Sequence, residues 1–249
     1  MVKSSESGHY KVVTNFDELI SVVLGYGTTY DPSKSALTVQ EIQALATRAK
    51  NSINAVDQLL PPYSSAVAER EAAFDQLGTY TTRILNALRA SDAPTQIVDT
   101  IKSIVRKIQG TRATPYKTEE EKKSLAAKGV EVKKEISSSQ MSFDGRLENF
   151  NKMVIAVESI PEYAPNEADL QVAAIRNYYT RLAGLNAAVI NAYVALSNAR
   201  LARNEVLYSP KTGLVDIALD VKAYVKSIFG ASSPLFKQIS KIEFKNIKS

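Results

Sequence analysis

The 249-residue chain has no cysteine, no tryptophan and a single histidine, with only ten glycines and nine prolines. Without cysteine there is no structural disulfide, no thiolate nucleophile and no Cys-ligated zinc or iron–sulfur centre. One histidine, His9, gives no His pair for a metal and no Ser–His or Cys–His relay unless it serves alone. In its polar N-terminal setting it reads as a solvated terminal residue. Few turn formers between runs of Ala, Leu, Val and Ile favour helix over sheet, so the expected fold class is all-α.

Long uninterrupted apolar runs are missing too. The least polar window, residues 182–202, still holds Asn186, Asn191, Asn198 and Arg200, which argues against a membrane-spanning helix. The N-terminal stretch lacks the apolar core of a secretory signal, so the cytoplasm is the default location, with an extracellular assembly reached by a non-standard export route left open. Net charge is +5, and Lys237, Lys241, Lys245 and Lys248 against Glu243 place +3 of it in residues 231–249. That basic tail offers an anionic partner a handle, with no basic face established elsewhere.

What is present is a repeat. YDPSKSALTVQEI at 30–42 returns as YAPNEADLQVAAI at 163–175, matching Tyr30 to Tyr163, Pro32 to Pro165, Leu37 to Leu170, Val39 to Val172 and Ile42 to Ile175. The register continues through Val56 and Val189, Ala66 and Ala199, and Arg70 and Arg203, with Phe74 opposite Leu207. Upstream, NFDELISVV (15–23) lies over NFNKMVIAV (149–157); downstream, after 13 extra residues in the first copy, TIKSIVRKIQG (100–110) lies over DVKAYVKSIFG (220–230). The order of these matches implies an internal duplication. The expected architecture is an elongated antiparallel helical bundle of two halves, each with a short helix, a long heptad-patterned helix and an amphipathic helix. The boundaries read as an N-terminal arm (1–14), repeat 1 (15–110), a charged Ser-rich connector (111–141), repeat 2 (142–230) and the basic C-terminal tail (231–249).

Local chemistry fills in each copy. Gly25-Tyr-Gly27 ends a first helix that begins at Phe16; Pro32 or Pro165 opens a turn; Ser33 or Asn166 caps the long helix, supported by Asp169. Gly110 and Gly230 fit the left-handed residue that closes a helix. In the second long helix, expected over 166–208, Ile175, Tyr178, Leu182, Leu185, Val189, Leu196 and Arg203 fall on a heptad seam, and in the first so do Ile42, Leu45, Val56, Leu59 and Arg70. Pro61-Pro62 predicts a kink or break there. Small residues along the seam suit close antiparallel pairing of the two long helices. Alternation in HYKVV, GVEVK (129–133) and KIEFK (241–245) leaves room for short β segments at the termini and in the connector. Within these terminal segments Tyr10, Val12, Phe236, Ile242 and Phe244 are candidates for contacts between molecules.

No motif carries a catalytic chemistry. Glu119–Glu121 before Lys122-Lys123 reads as the first turn of a solvated surface helix after Thr118, not as a metal site. Gly25-Tyr-Gly27 is too short for a phosphate loop. No metal, cofactor or general acid–base pair is expected. Arg70 and Arg203 recur at the same seam position and, if buried, need a carboxylate or carbonyl; Glu69, Glu71 and Glu205 are candidates, and a twofold-related anion site is the functional alternative to a register-fixing role.

The phrases ARNEVLY (202–208), TGLVDIALDVKAYVKSIFG (212–230) and SSQMSFDGRLENF (138–150) resemble those of a group of uncharacterised bacterial, internally duplicated all-helical proteins. The resemblance implies the helical fold and brings no activity, cofactor or site residue. The expected function is non-enzymatic and structural: self-association, as homo-oligomer or polymer, into a filament, tube or sheet through quasi-equivalent helical surfaces and terminal arms. The alternative is an adaptor or a binder of anionic surfaces, membrane or nucleic acid, through the lysine tail. A membrane-inserting toxin ranks third and an enzyme last.

Overall fold

The computed structural model describes residues 5–111, 127 and 141–247. These residues form helices α1 (Ser5–Leu24), α2 (Val39–Asp75), α3 (Leu77–Arg89), α4 (Thr95–Gln109), α5 (Phe143–Glu158), α6 (Val172–Tyr208), α7 (Leu214–Phe229) and α8 (Pro234–Ser240), with short 3₁₀ turns before α2 and α6. Among the described residues there is no strand, and the fold is predominantly helical. HYKVV lies inside α1 and KIEFK is irregular after α8, so neither forms the β segment its alternation allows. GVEVK, Glu119–Glu121 and most of the connector lie outside the described residues.

The chain divides into two compact units, Met1–Ser64 with Ala192–Ser249, and Ser65–Asn191. In unit 1, α1 contributes Val12, Val13, Phe16, Leu19, Ile20 and Val23 to the core, a 3.6-residue period facing Ile42, Leu45, Ala49 and Ile53 of α2 and Val221 and Val225 of α7. The first helix therefore starts about ten residues before Phe16, and the expected N-terminal arm is corrected: from Ser5 onward it is helix. In unit 2 the core is built by Phe74, Leu77, Ile84 and Leu88, by Ile101, Val105 and Ile108 of α4, by Phe150, Met153 and Val157 of α5, and by Ile175 and Leu182 of α6. There the last turns of α2 are tied to α6 by two side-chain bonds. Arg70 meets Asn186, and three residues on, Tyr178 donates to the Ala73 carbonyl at 2.7 Å.

The long helices have matching ends. Each has 37 residues, about 55 Å at 1.5 Å per residue. Val39 to Val172 and Asp75 to Tyr208 are both steps of 133 residues, as is Ser35 to Ala168 at the start of the preceding 3₁₀ turns. Before each helix a buried tyrosine folds back on its own turn: Tyr30 donates to Leu37 O at 2.7 Å and Tyr163 to Leu170 O at 2.9 Å. The 3₁₀ turns displace the expected caps. Helix begins after Thr38 and Gln171, not after Ser33 and Asn166, because the tyrosine bond holds the intervening residues in a separate turn.

Pro61 and Pro62 sit inside α2, which runs through them without a break. Each removes one backbone donor, freeing the carbonyls of Asp57 and Gln58. Both prolines and Gln58 are exposed, and water can satisfy what the ring leaves open. Gly110 closes α4 as expected, left-handed at φ 69°, with Thr111 N–H reaching back to Arg106 O at 2.9 Å. Gly230 closes α7 with positive φ but extended ψ, 157°, so the chain leaves that helix in a different direction. Between α2 and α4 lies the 13-residue α3, whereas a five-residue turn, 209–213, joins α6 to α7.

That turn is tight. Lys211 takes a left-handed backbone at φ 68°, its N–H donating to Asp216 at 2.7 Å, and Gly213 N–H donates to Ser209 O at 2.7 Å. A Cβ on Gly213 would stand 2.5 Å from Ser209 N and 2.7 Å from Ser209 O, both backbone atoms that cannot move aside. Gly213→Ala is therefore expected to cost roughly 1–3 kcal/mol by overpacking, read as a lower urea midpoint.

Candidate functional site

Of the seam positions, Ile42, Leu45, Val56, Ile175, Leu182, Val189, Leu196 and Arg203 are buried, and Leu59, Arg70, Tyr178 and Leu185 are half-buried. The two arginines sit in different surroundings. Arg70 donates to Asn186 Oδ1 at 3.2 Å and lays its guanidinium 3.8 Å from the centroid of Phe143, while Asn186 donates to Asp144 Oδ1 at 2.6 Å. A side-chain amide and a ring face thus stand where a carboxylate from Glu69 or Glu71 was one expected partner; the flat, weakly hydrated guanidinium suits a ring face. Arg203, 2% exposed, directs Nε and Nη2 at Asn204 Oδ1, at 3.1 and 2.9 Å. Asn186 and Phe143 at Arg70 differ from Asn204 at Arg203.

The terminal candidates turn inward within unit 1. Val12 and Ile242 are core residues, Phe236 and Phe244 pack against that core, and Phe244 meets Phe16 edge to face at 6.4 Å. Tyr10 is exposed on α1 and its hydroxyl donates to Asp57 of α2. His9 is also corrected: it is 1% exposed, its Nδ1 is 2.7 Å from the Tyr208 hydroxyl, and with Val12, Val13 and Phe16 it completes an i, i+3, i+4, i+7 stripe. The residues expected to reach other molecules are therefore largely occupied in holding unit 1 together. Of the tail lysines, Lys245 pairs with Glu243 at 2.7 Å, Lys237 and Lys241 are exposed, and Lys248 lies outside the described residues.

The surface least used inside the molecule is on α6. No charged residue occurs from Leu182 to Ala199, and Ile190, Tyr193, Val194 and Leu201 are about half or more exposed, Leu201 at 65%. An 18-residue window of this helix has a mean hydropathy of 1.2, of which 22% is buried, so by length and composition alone it is apolar enough to cross a membrane. Of the asparagines that argue against a spanning helix, Asn186 is bonded inward to Asp144, while Asn191 and Asn198 are exposed beside the apolar side chains. Lone apolar side chains on a surface are ordinary, but four within three turns of one helix form a patch.

Among the described residues no group of three His, Asp or Glu side chains is placed to hold a metal ion. Comparison with protein-family models, with curated proteins and with solved structures finds no match to this chain.

Proposed function

We propose that the protein is a non-enzymatic structural protein that self-associates into an ordered assembly through the outward faces of its long helices. The observation that carries this reading is the uncharged, outward-facing stretch of α6 around Ile190, Tyr193 and Val194, with Leu201 exposed just beyond Arg200. Its exposure leaves apolar area in water that a second copy of the chain would cover, at about 25 cal/mol for each Å² removed.

Duplication of the chain supports the ordered character of the assembly. Matching helix ends at steps of 133 residues and the twin tyrosine turns are what two copies of one unit would show. At the same step, Tyr193 and Val194 correspond to Leu60 and Pro61 of α2, also apolar, while Ile190 corresponds to the charged Asp57. A head-to-tail assembly grows where the α6 face meets a different, complementary patch on the next copy and the rotation between copies does not close. The helical faces, more than the terminal segments, would form the joints.

The test is light scattering of the wild-type chain beside a Val194→Lys/Leu201→Lys variant, with Ile155→Lys as control for another exposed apolar residue. Wild type and control form particles far above the 27.2 kDa chain mass, and the double variant does not. A variant that assembles as wild type does would reject these faces as the joint.

A further inference from the structure

Unit 2 contains a groove of about 490 Å³ where α3, the 3₁₀ turn before α6 and the first turns of α6 converge. Its wall is unusual in how its polar groups are committed. Tyr80 and Tyr178 meet edge to face at 4.8 Å, and both hydroxyls donate to backbone carbonyls, of Asp169 at 2.6 Å and Ala73 at 2.7 Å. Both tyrosines line the groove with their hydroxyls already used. Arg83 Nη1 is bound to the Asp169 carboxylate at 2.6 Å, so one positive charge is matched. Arg181 has no hydrogen bond or ion pair among the described residues, unlike its neighbour Arg176, which holds Glu158 through two nitrogens. Gln76 and Asn177 line the same groove with their side-chain amides likewise unpaired among the described residues.

The geometry points to a binding site for a small planar or aromatic oxyanion, a carboxylate or a phosphate monoester. Among the lining residues two guanidiniums stand against one carboxylate, with Glu167 also acting on Arg83 and leaving Arg181 as the uncommitted cation. Arg181 takes the anionic head, Gln76 and Asn177 supply neutral donors, and the planar part rests on Tyr80 and Tyr178. The volume is that of a ligand pocket for a small molecule. Guanidinium is the side chain whose fork fits both head groups.

The site belongs to one half of the chain. At the step of 133 residues, Asp169, Asn177 and Tyr178 become Ala36, Ala44 and Leu45, and only Arg181 keeps its type, as Arg48. Tyr80 and Arg83 lie on α3, the helix the second copy lacks. Reading α3 as an addition to one copy rests on the duplication; the groove itself does not. An added helix that brings a tyrosine and an arginine to a cavity has a use beyond packing.

Isothermal titration calorimetry of the full-length chain tests the assignment, with phenyl phosphate, benzoate and inorganic phosphate as probes and benzamidine as the charge-reversed control. Saturable binding of phenyl phosphate or benzoate is expected, with inorganic phosphate weaker and benzamidine silent. Arg181→Gln weakens the tighter probe at least tenfold, and Arg48→Gln, an exposed change at the corresponding position, leaves it unchanged. Absence of saturable binding by either aromatic anion, binding of benzamidine with equal affinity, or an unaltered Arg181→Gln isotherm would overturn the site. Scattering on the same samples reports assembly separately, so failure of one reading is distinguishable from failure of the other.

Discussion

Replacing Ile239 and Ile242 together with alanine is expected to destabilise unit 1 by several kcal/mol, while replacing Lys237 and Lys241 changes stability by less than about 0.5 kcal/mol. The two isoleucines are 0% and 5% exposed, and Phe236, Phe244 and Ile247 pack beside them on the core that α1, α2 and α7 share. A buried isoleucine cut to alanine typically costs 2–5 kcal/mol, from lost transfer energy and the cavity left behind. Side-chain bonds to backbone carbonyls add to this anchor. Tyr26 donates to Leu235 O at 2.8 Å, Asn15 to Glu243 O at 2.8 Å, and Lys222 Nζ to the carbonyls of Ser240 and Ile242, in a setting whose burial lowers the lysine's pKa. Urea unfolding of the four single variants and the two pairs separates the cases. In a solvated basic tail the isoleucine changes would be silent; here they dominate.

Stability is expected to fall steeply above pH 10. Burial raises the phenol pKa of Tyr30, Tyr80 and Tyr208 to about 12, and that of Tyr163 beyond the ordinary alkaline range. The unfolded chain releases these protons near pH 10 while the folded chain keeps them. Each tyrosine's contribution is therefore complete below pH 10 and is lost as pH rises through its folded pKa. For Tyr30, which is 6% exposed and donates to Leu37 O, the loss by pH 12 is roughly 2–3 kcal/mol. A Tyr30→Phe/Tyr163→Phe variant starts lower, by about 1 kcal/mol for each lost hydrogen bond, yet declines less between pH 10 and 12. Urea midpoints at pH 8, 10, 11 and 12 check this, and parallel decline of both proteins would contradict it.

Much of the helical body was legible because its signals are local. Ile42, Leu45 and Val56 announce a buried stripe by spacing alone, and the tyrosine-proline phrase marks the turn before each long helix. The misses have physical causes. His9 looked solvated because its partner Tyr208 is 199 positions away, although its spacing to Val12, Val13 and Phe16 was the signal that α1 begins early. Pro61-Pro62 looked like a break because a proline's cost depends on whether the freed carbonyls meet water, which only the fold decides. The inward turn of Ile242 and Phe244 was hidden by the lysines between which they alternate. The groove of unit 2 joins residues 76–83 to 169–181, and no local pattern links those stretches.

The central claim is that the outward apolar face of α6 joins copies of this chain. Sedimentation velocity of the full-length protein over a hundredfold concentration range tests it most directly. The account predicts a mass that rises with concentration well above 27.2 kDa, with ordered particles in negative-stain images of the same samples. A single 27.2 kDa species at every concentration and salt would contradict it.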